Sequence, residues 1–91
     1  MKKPNDDIFL KCLPHLDLHG LDEKCALLYV KDFILENIFL KNEKIVIVHG
    51  IGTGILRGSI HNMLKRHKKV KDYYLLSYNL GATVAILEVD N

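Results

Sequence analysis

Apolar and polar positions along the chain switch between two-residue and helical spacing, and their succession predicts the element order βαβαββ. The first predicted strand is Leu13–Leu18, in which Leu16 and Leu18 share one face and Asp17 lies on the other. Pro14 has no N–H group to donate, so we expect this strand to lie at an edge of the sheet or to begin near Pro14.

Two longer segments show apolar residues at helical spacing. The first begins after Asp22, a good helix cap, and runs to about Leu40, with Phe33 and Phe39 widening its apolar stripe. The second covers about Ile55–His67. The positions that define the stripes are 26, 27, 30, 34 and 38 in the first helix, and Leu56, Ile60, Met63 and Leu64 in the second.

Three further strands are predicted at Ile45–Val48, Val70–Leu76 and Ala82–Val89, with Asn79 and Gly81 marking the turn before the last strand. The second and fourth strands are apolar on both faces, which is typical of interior strands. Right-handed crossovers then place both helices on one face, and a strand order of 1-2-4-3 explains the apolar fourth strand. The predicted fold is an α/β (α+β) two-layer sandwich with a mixed four-stranded sheet.

The length and composition indicate one small globular domain. The 91 residues suffice for a single core, and we assign residues 1–12 to an N-terminal extension and residues 13–91 to the domain. No apolar run approaches the roughly 18–20 residues that span a bilayer, and no apolar stretch of signal-peptide length follows the first residues. We therefore expect a cytoplasmic protein that makes no membrane contact.

The cysteines and the uncovered sheet face allow two further expectations. Cys12 and Cys25 have no CxxC spacing, so we expect buried, reduced thiols rather than a zinc or redox motif. Helices on one side leave the other face of the sheet open, and either the apolar segment Ile8–Leu10 or a second copy of the chain is expected to cover part of it. The expected state is a monomer or a weak homodimer.

The net charge of +2 is close to neutral, but the cations are unevenly placed. Five of them fall between positions 65 and 71, and they are Lys65, Arg66, Lys68, Lys69 and Lys71. This cluster predicts a basic patch suited to a polyanion. It is also what a helix C-terminus favours through its dipole, and the two interpretations do not exclude each other.

A glycine-rich loop, HGIGTG, follows the second strand, and its glycines are Gly50, Gly52 and Gly54. Glycines let the backbone turn sharply and approach a ligand, Thr53 can cap the following helix, and a helix N-terminus binds phosphate. Arg57 lies one turn later and could add a bidentate phosphate contact. The spacing fits neither a P-loop nor a dinucleotide fingerprint. The alternative is a tight strand–helix turn that simply requires glycine.

A second polar motif, LDLHG, ends the first strand with Asp17 and His19 on one face. Histidine can act as a general base or acid, and aspartate can orient it or hold a divalent cation such as Mg²⁺ or Mn²⁺. His49 is a second candidate for either role. In the alternative interpretation Asp17 caps a loop and His19 bonds to backbone. Because parallel strands end at one edge of a sheet, the two motifs are expected to meet there.

The two motifs together resemble the Smr (small MutS-related) domain, over about residues 13–89. Leu16–Gly20 is similar to the family motif LDxHG, and His49–Gly54, with the LR pair after it, is similar to HGxGxG. Asn79–Leu87 is similar to the closing strand of the family. Two departures are Ile51, where many members have lysine, and Leu80, where the family has the first of two glycines.

The resemblance implies the fold of the C-terminal domain of translation initiation factor three, and nucleic-acid binding with nicking activity in some members. It implies hydrolytic roles for Asp17 and His19. The implied substrate site comprises His49, Gly50, Gly52, Thr53, Gly54 and Arg57. Three functional hypotheses remain: an endonuclease acting on DNA or RNA, a non-catalytic module that binds nucleic acid or the ribosome, and an interaction domain that dimerises through its open sheet face.

Overall fold

The computed structural model describes residues 12–52, 54–76 and 79–90, and it confirms the order βαβαββ. The elements are β1 (His15–Asp17), α1 (Glu23–Phe39), β2 (Lys44–Val48), α2 (Ile55–Arg66), β3 (Val70–Leu76) and β4 (Asn79–Leu87). Among the residues described, no helix is long and apolar enough to cross a membrane.

The four strands form one mixed sheet in the order β1-β2-β4-β3, which confirms the predicted order. β1 pairs with β2 in parallel, and β4 pairs antiparallel with both β2 and β3. β1 lies at the edge, as expected, and the Val46 N–H donates to the Pro14 carbonyl at 2.9 Å where β1 begins. β2 and β4 are interior because both of their faces are apolar.

Both helices pack on the same face of the sheet and enclose the main core. The buried residues of this core are Leu18, Ala26, Val30, Ile34, Ile45, Ile47, Ile60, Leu64, Ala85 and Leu87. A second apolar cluster of Val46, Leu76, Ala82 and Val84 lies on the other face, with Leu13 and Val48 against it. These four side chains are buried within the single chain, so they do not form an open apolar surface. The segment Ile8–Leu10, predicted to cover this face, lies outside the described residues.

α1 begins where the cap was predicted, because the Asp22 Oδ1 atom accepts a hydrogen bond of 2.8 Å from the Cys25 N–H. The prediction that Phe39 packs in the core is wrong: its side chain is 84% exposed in the last turn. The prediction of buried thiols is also wrong. Cys25 lies in the first turn of α1 on the solvent side, and Cys12 precedes β1; both are exposed and free.

β4 begins three residues earlier than predicted and ends at Leu87 rather than Val89. Leu76 pairs with Asn79 across β3 and β4, so Asn79 and Gly81 belong to the strand and not to the turn. The chain tolerates Gly81 inside a strand because this strand is held on both sides, by β2 and by β3.

Candidate nucleic-acid interface

The ends of β1 and β2 lie side by side at one edge of the sheet. Asp17 is paired with Val48, and the Leu18 N–H donates to the Val48 carbonyl at 2.9 Å. Neighbouring strands are about 4.8 Å apart. The LDLHG motif and the HGIGTG loop therefore leave the sheet next to each other, as the parallel pairing predicts.

Asp17 and His19 are both exposed at this edge. The Asp17 Oδ1 atom accepts a hydrogen bond of 2.9 Å from the backbone N–H of His19, so the carboxylate also closes the turn after β1. Within the described parts of the chain, the second carboxylate oxygen and both ring nitrogens of His19 have no hydrogen-bond partner. These atoms remain available to a ligand.

The glycine loop leads from β2 into α2 through left-handed backbone. Gly50, Gly52 and Gly54 have φ angles of 86°, 38° and 86°. Gly54 is the N-cap of α2, and a Cβ atom there would lie 3.0 Å from the Arg57 Nη2 atom. The Arg57 guanidinium therefore folds back over the start of its own helix. Thr53, the predicted cap, lies outside the described residues.

The loop and the first turn of α2 surround a cleft of about 190 Å³. The lining residues are His49, Gly50, Ile51, Gly52, Gly54, Leu56 and Arg57. At this end of α2 the Gly58 N–H donates to the Gly54 carbonyl at 2.9 Å. The helix therefore begins at the cleft, where its N–H groups and partial positive charge favour an anion.

His49 differs from His19 because its side chain is only 8% exposed and lies on the helix side of the sheet. Its Nδ1 atom is 2.9 Å from the Gly50 carbonyl oxygen, and its Nε2 atom is 2.8 Å from Thr83 Oγ1. The same hydroxyl is 2.6 Å from the Nε2 atom of His61, whose ring packs against Tyr73 with centroids 5.0 Å apart. His49 after β2, Thr83 of β4, His61 of α2 and Tyr73 of β3 thus form one cluster, in which His49 and Thr83 are buried and His61 and Tyr73 are half-buried.

Burial lowers the pKa of His49; the hydrogen bond to Gly50 opposes this, and the charge of Arg57 adds to it. Burial also lowers the pKa of His61, as do the neighbouring charges of His49 and Arg57. Both imidazoles are therefore neutral at neutral pH. Because a carbonyl oxygen only accepts, the proton of His49 is on Nδ1, and its Nε2 atom accepts from the Thr83 hydroxyl. Thr83 in turn accepts from the Nε2–H of His61.

Thr83 and His61 were not recognised as site residues from the sequence. Thr83 is fully buried at a position that shares the helix-facing side of β4 with Ala85 and Leu87, so strand alternation could have identified it as an inward polar residue. His61 follows the buried Ile60 in α2, but nothing local in the sequence shows that it reaches β4.

The basic cluster lies at the opposite end of α2 from the glycine loop. Lys65, Arg66, Lys68 and Lys69 are exposed in and after the last turn of this helix. Arg66 also lines a groove of about 520 Å³ between the two helices, together with Leu27, Lys31, Ser59, Asn62, Met63 and His67. A helix of 12 residues is about 18 Å long, so this cluster and the loop form two separate cationic regions.

No three His, Cys, Asp or Glu side chains converge on a possible metal position in the described part of the chain. At the sheet edge, Asp17 offers one free carboxylate oxygen. This suits a cation that keeps most of its water ligands, and it does not suit a closed protein cage.

The fold and this edge define a two-layer α+β domain with an exposed acid–imidazole pair beside a glycine loop. The family model described as the Smr domain matches residues 16–88, and the chain belongs to this family. The resemblance seen in the two motifs is therefore confirmed.

Similar proteins include endonuclease MutS2 of Clostridium tetani, 40% identical over 75 residues, and endonuclease MutS2 of Clostridium kluyveri, 45% identical over 76 residues. Each match covers 81% of this chain but only 10% of the relative, so the chain spans about a tenth of the length of these proteins.

Two solved structures share the fold. The Smr domain of Thermus thermophilus MutS2 superposes with a TM-score of 0.81 at 33% identity, covering 84% of this chain and 99% of that one. YdaL, a stand-alone small MutS-related protein from Escherichia coli, superposes with a TM-score of 0.77 at 20% identity, covering 81% and 63%. The second likeness is evidence of the fold alone.

Proposed function

We propose that this domain binds the backbone of DNA or RNA at the sheet edge and cleaves phosphodiester bonds there. The observation that carries the proposal is the position of the exposed Asp17 and His19 at the end of β1, next to the end of β2 from which the glycine loop leaves the sheet. The MutS2 relatives are named as endonucleases, which agrees with the proposal, although this chain matches only about a tenth of their length.

Binding would begin at the loop cleft. A phosphate oxygen there meets the N-terminus of α2 and the Arg57 guanidinium, which can donate two parallel hydrogen bonds. The basic residues Lys65, Arg66, Lys68 and Lys69, about 18 Å away along the helix, would contact phosphates several nucleotides farther on. Such contacts fix the position of the nucleic acid and do not read its sequence.

Cleavage would use His19 as the proton acceptor. Its free ring nitrogen removes a proton from the attacking water or ribose hydroxyl while a new oxygen–phosphorus bond forms and the bond to the leaving oxygen breaks. Arg57 stabilises the charge that develops on the phosphate. The free oxygen of Asp17 either orients His19 or holds Mg²⁺ or Mn²⁺ with its water ligands. His49 was also a catalytic candidate, but both of its ring nitrogens are already bonded, and we propose that it supports the loop instead.

The second candidate is a module that binds nucleic acid, or a ribosome, without cleaving it. Two observations favour this alternative. The Asp17 carboxylate already has a structural role in closing the turn to His19. Ile51 lines the cleft without adding a charge.

The test is an activity assay on plasmid DNA and on single-stranded, duplex and branched DNA and RNA, with EDTA, Mg²⁺ or Mn²⁺. His19→Ala is expected to lower the cleavage rate about 10²- to 10⁴-fold, because a general base contributes about that much. Asp17→Ala is expected to lower it as well. The matched controls are His15→Ala and Asp32→Ala, which alter exposed residues of the same types at the start of β1 and in α1.

Equal cleavage by wild type and by His19→Ala would identify a contaminating nuclease and end the catalytic proposal. Salt-sensitive binding without cleavage under any metal condition would establish the binding module instead. Failure of the wild-type domain to bind any of these nucleic acids would overturn both.

A further inference from the structure

The base of the glycine loop is attached to β4 in two ways. The N–H groups of His49 and Gly50 both donate to the Gly81 carbonyl at 2.9 Å. The His49 side chain then reaches Thr83, two residues farther along β4. The loop therefore has a fixed starting direction before it reaches α2.

The buried cluster forms a hydrogen-bond chain with one direction. His61 Nε2–H donates to Thr83, the Thr83 hydroxyl donates to His49 Nε2, and His49 Nδ1–H donates to the Gly50 carbonyl. Each step fixes the next one, because a neutral imidazole has one donor and one acceptor and the carbonyl only accepts. The chain of hydrogen bonds thus ends on the Gly50–Ile51 peptide group.

The orientation of this peptide group determines where its N–H points. The described residues contain no cis peptide bond, and in a trans peptide the C=O and N–H groups point in opposite directions. The Gly50 carbonyl accepts from His49 Nδ1, so the Ile51 N–H lies on the opposite edge of the peptide group from this hydrogen bond. Ile51 is 65% exposed and lines the loop cleft, next to the Arg57 guanidinium at Gly54.

We infer that Thr83 and His61 are positioning residues which, through His49, hold the Ile51 N–H toward the cleft as a donor to a phosphate oxygen. The inference rests on the proposed function for its ligand, a phosphodiester. It also accounts for Ile51 at a position where a lysine would supply a charge: the backbone donor does not depend on the side chain. Arg57 adds the cationic partner for the same phosphate.

The titratable and charged groups that face His49 come from two elements. His61 and Arg57 belong to α2. The charge of Arg57 lowers the pKa of His49, and the charge of His49 lowers the pKa of His61. Tyr73 of β3 packs on His61. No carboxylate of the described residues is bonded to either imidazole. The Gly50 carbonyl favours the charged form of His49, but burial outweighs it and lowers the pKa of His49, so the neutral form that accepts from Thr83 is retained.

The experiment uses NMR on the whole chain with ¹⁵N-labelled histidines and backbone. In wild type we expect the proton of His49 on Nδ1 and the proton of His61 on Nε2. On titration with a short single-stranded DNA, the matching RNA, or inorganic phosphate, we expect the Ile51 amide proton to shift downfield. Thr83→Val, which keeps the shape but removes the hydroxyl, is expected to weaken oligonucleotide binding about tenfold.

Two further variants separate positioning from a general effect on the fold. Thr83→Ser keeps the hydroxyl and is expected to restore wild-type affinity and the wild-type tautomers. His61→Phe removes only the first donor and is expected to lower affinity less than Thr83→Val. If Thr83→Val does not fold, His61→Phe and the wild-type tautomers still decide the question.

The outcomes distinguish this inference from the proposed function. Suppose that wild type binds oligonucleotide. If Thr83→Val then binds it equally well, or if the Ile51 amide proton does not shift, the inference is overturned and the proposed function stands. If wild type binds no oligonucleotide, the proposed function fails, and the tautomers with the phosphate titration still decide the inference. The inference is overturned if the proton of His49 is found on Nε2, or if the Ile51 amide proton does not shift when phosphate is added.

Discussion

Both parallel strands end in a histidine followed by a glycine, His19–Gly20 after β1 and His49–Gly50 after β2, yet the two imidazoles are in opposite environments. The ring of His19 is exposed and has no hydrogen-bond partner within the described residues. The ring of His49 is buried, and both of its nitrogens are bonded. The same dipeptide thus presents an exposed imidazole at one strand end and a buried, hydrogen-bonded one at the other.

The position of each strand in the sheet explains the difference. β1 is an edge strand, so the residues after it meet solvent on one side. β2 lies between β1 and β4 and is covered by the helices, so the residue after it meets Thr83 and His61. Whether a histidine is available for chemistry therefore depends on its neighbours in the fold and not on its motif.

The largest expected difference between the two histidines is in stability. His49→Ala is expected to lower the free energy of unfolding by about 2–4 kcal/mol, because it leaves a cavity and an unpaired hydroxyl and carbonyl. His19→Ala is expected to change it by less than about 0.5 kcal/mol, as at other exposed sites. Urea unfolding followed by circular dichroism measures both. Equal losses in the two variants would contradict the comparison.

The second prediction separates binding from cleavage. Arg57→Ala is expected to weaken oligonucleotide binding about tenfold, because it removes a charge-assisted phosphate contact at the cleft. His19→Ala is expected to retain wild-type affinity although it loses cleavage. Fluorescence anisotropy with a labelled oligonucleotide measures the affinities. Lys41→Ala is the matched control, because Lys41 is an exposed cation in the turn after α1 and lies outside the basic cluster. Equal affinity of Arg57→Ala and Lys41→Ala would place the phosphate elsewhere.

The smallest expected effect is on the pH dependence of stability. The pKa values of His49 and His61 are lowered in the folded state, mainly by burial, so the unfolded chain binds more protons below about pH 6.5. Stability from these groups is present above the unfolded pKa and decreases as the pH falls toward the folded values. Burial also lowers the pKa of His67, so this residue contributes to the pH dependence of stability in the same direction.

The measurement for this third prediction is urea unfolding between about pH 7.5 and about pH 5.5, the range in which histidines titrate. His61→Gln keeps a donor for Thr83 but cannot titrate, so it is expected to flatten the pH dependence. A wild type that becomes more stable on acidification, or a variant with an unchanged slope, would contradict it.

Much of the fold could be predicted because its patterns are local. The strand order followed from the apolar character of β2 and β4 on both faces, and the start of α1 followed from the Asp22 cap. The wrong predictions concern residues whose environment depends on distant contacts. Phe39 and Cys25 lie among apolar residues but are exposed, because α1 also carries apolar residues such as Leu28 and Leu35 on its solvent side, and apolar character alone does not show which of them is buried.

The candidate site also has a part that could be predicted from the sequence and a part that could not. The meeting of LDLHG with HGIGTG could be predicted because parallel strands end at one edge. The link between His61 and Thr83 joins residues 22 positions apart, and that between His49 and Thr83 joins residues 34 apart, so only the packed structure reveals them.

One of the two interior strands of the sheet, β4, is the last strand along the described chain. During synthesis β1 and β2 can already pair, whereas β3 must wait, because its sheet neighbour has not yet left the ribosome. The sheet therefore cannot be assembled strand by strand in the order of translation, because β3 gains its partner only when β4 follows it. Loss of β4 by early termination would leave β3 without any strand to pair with.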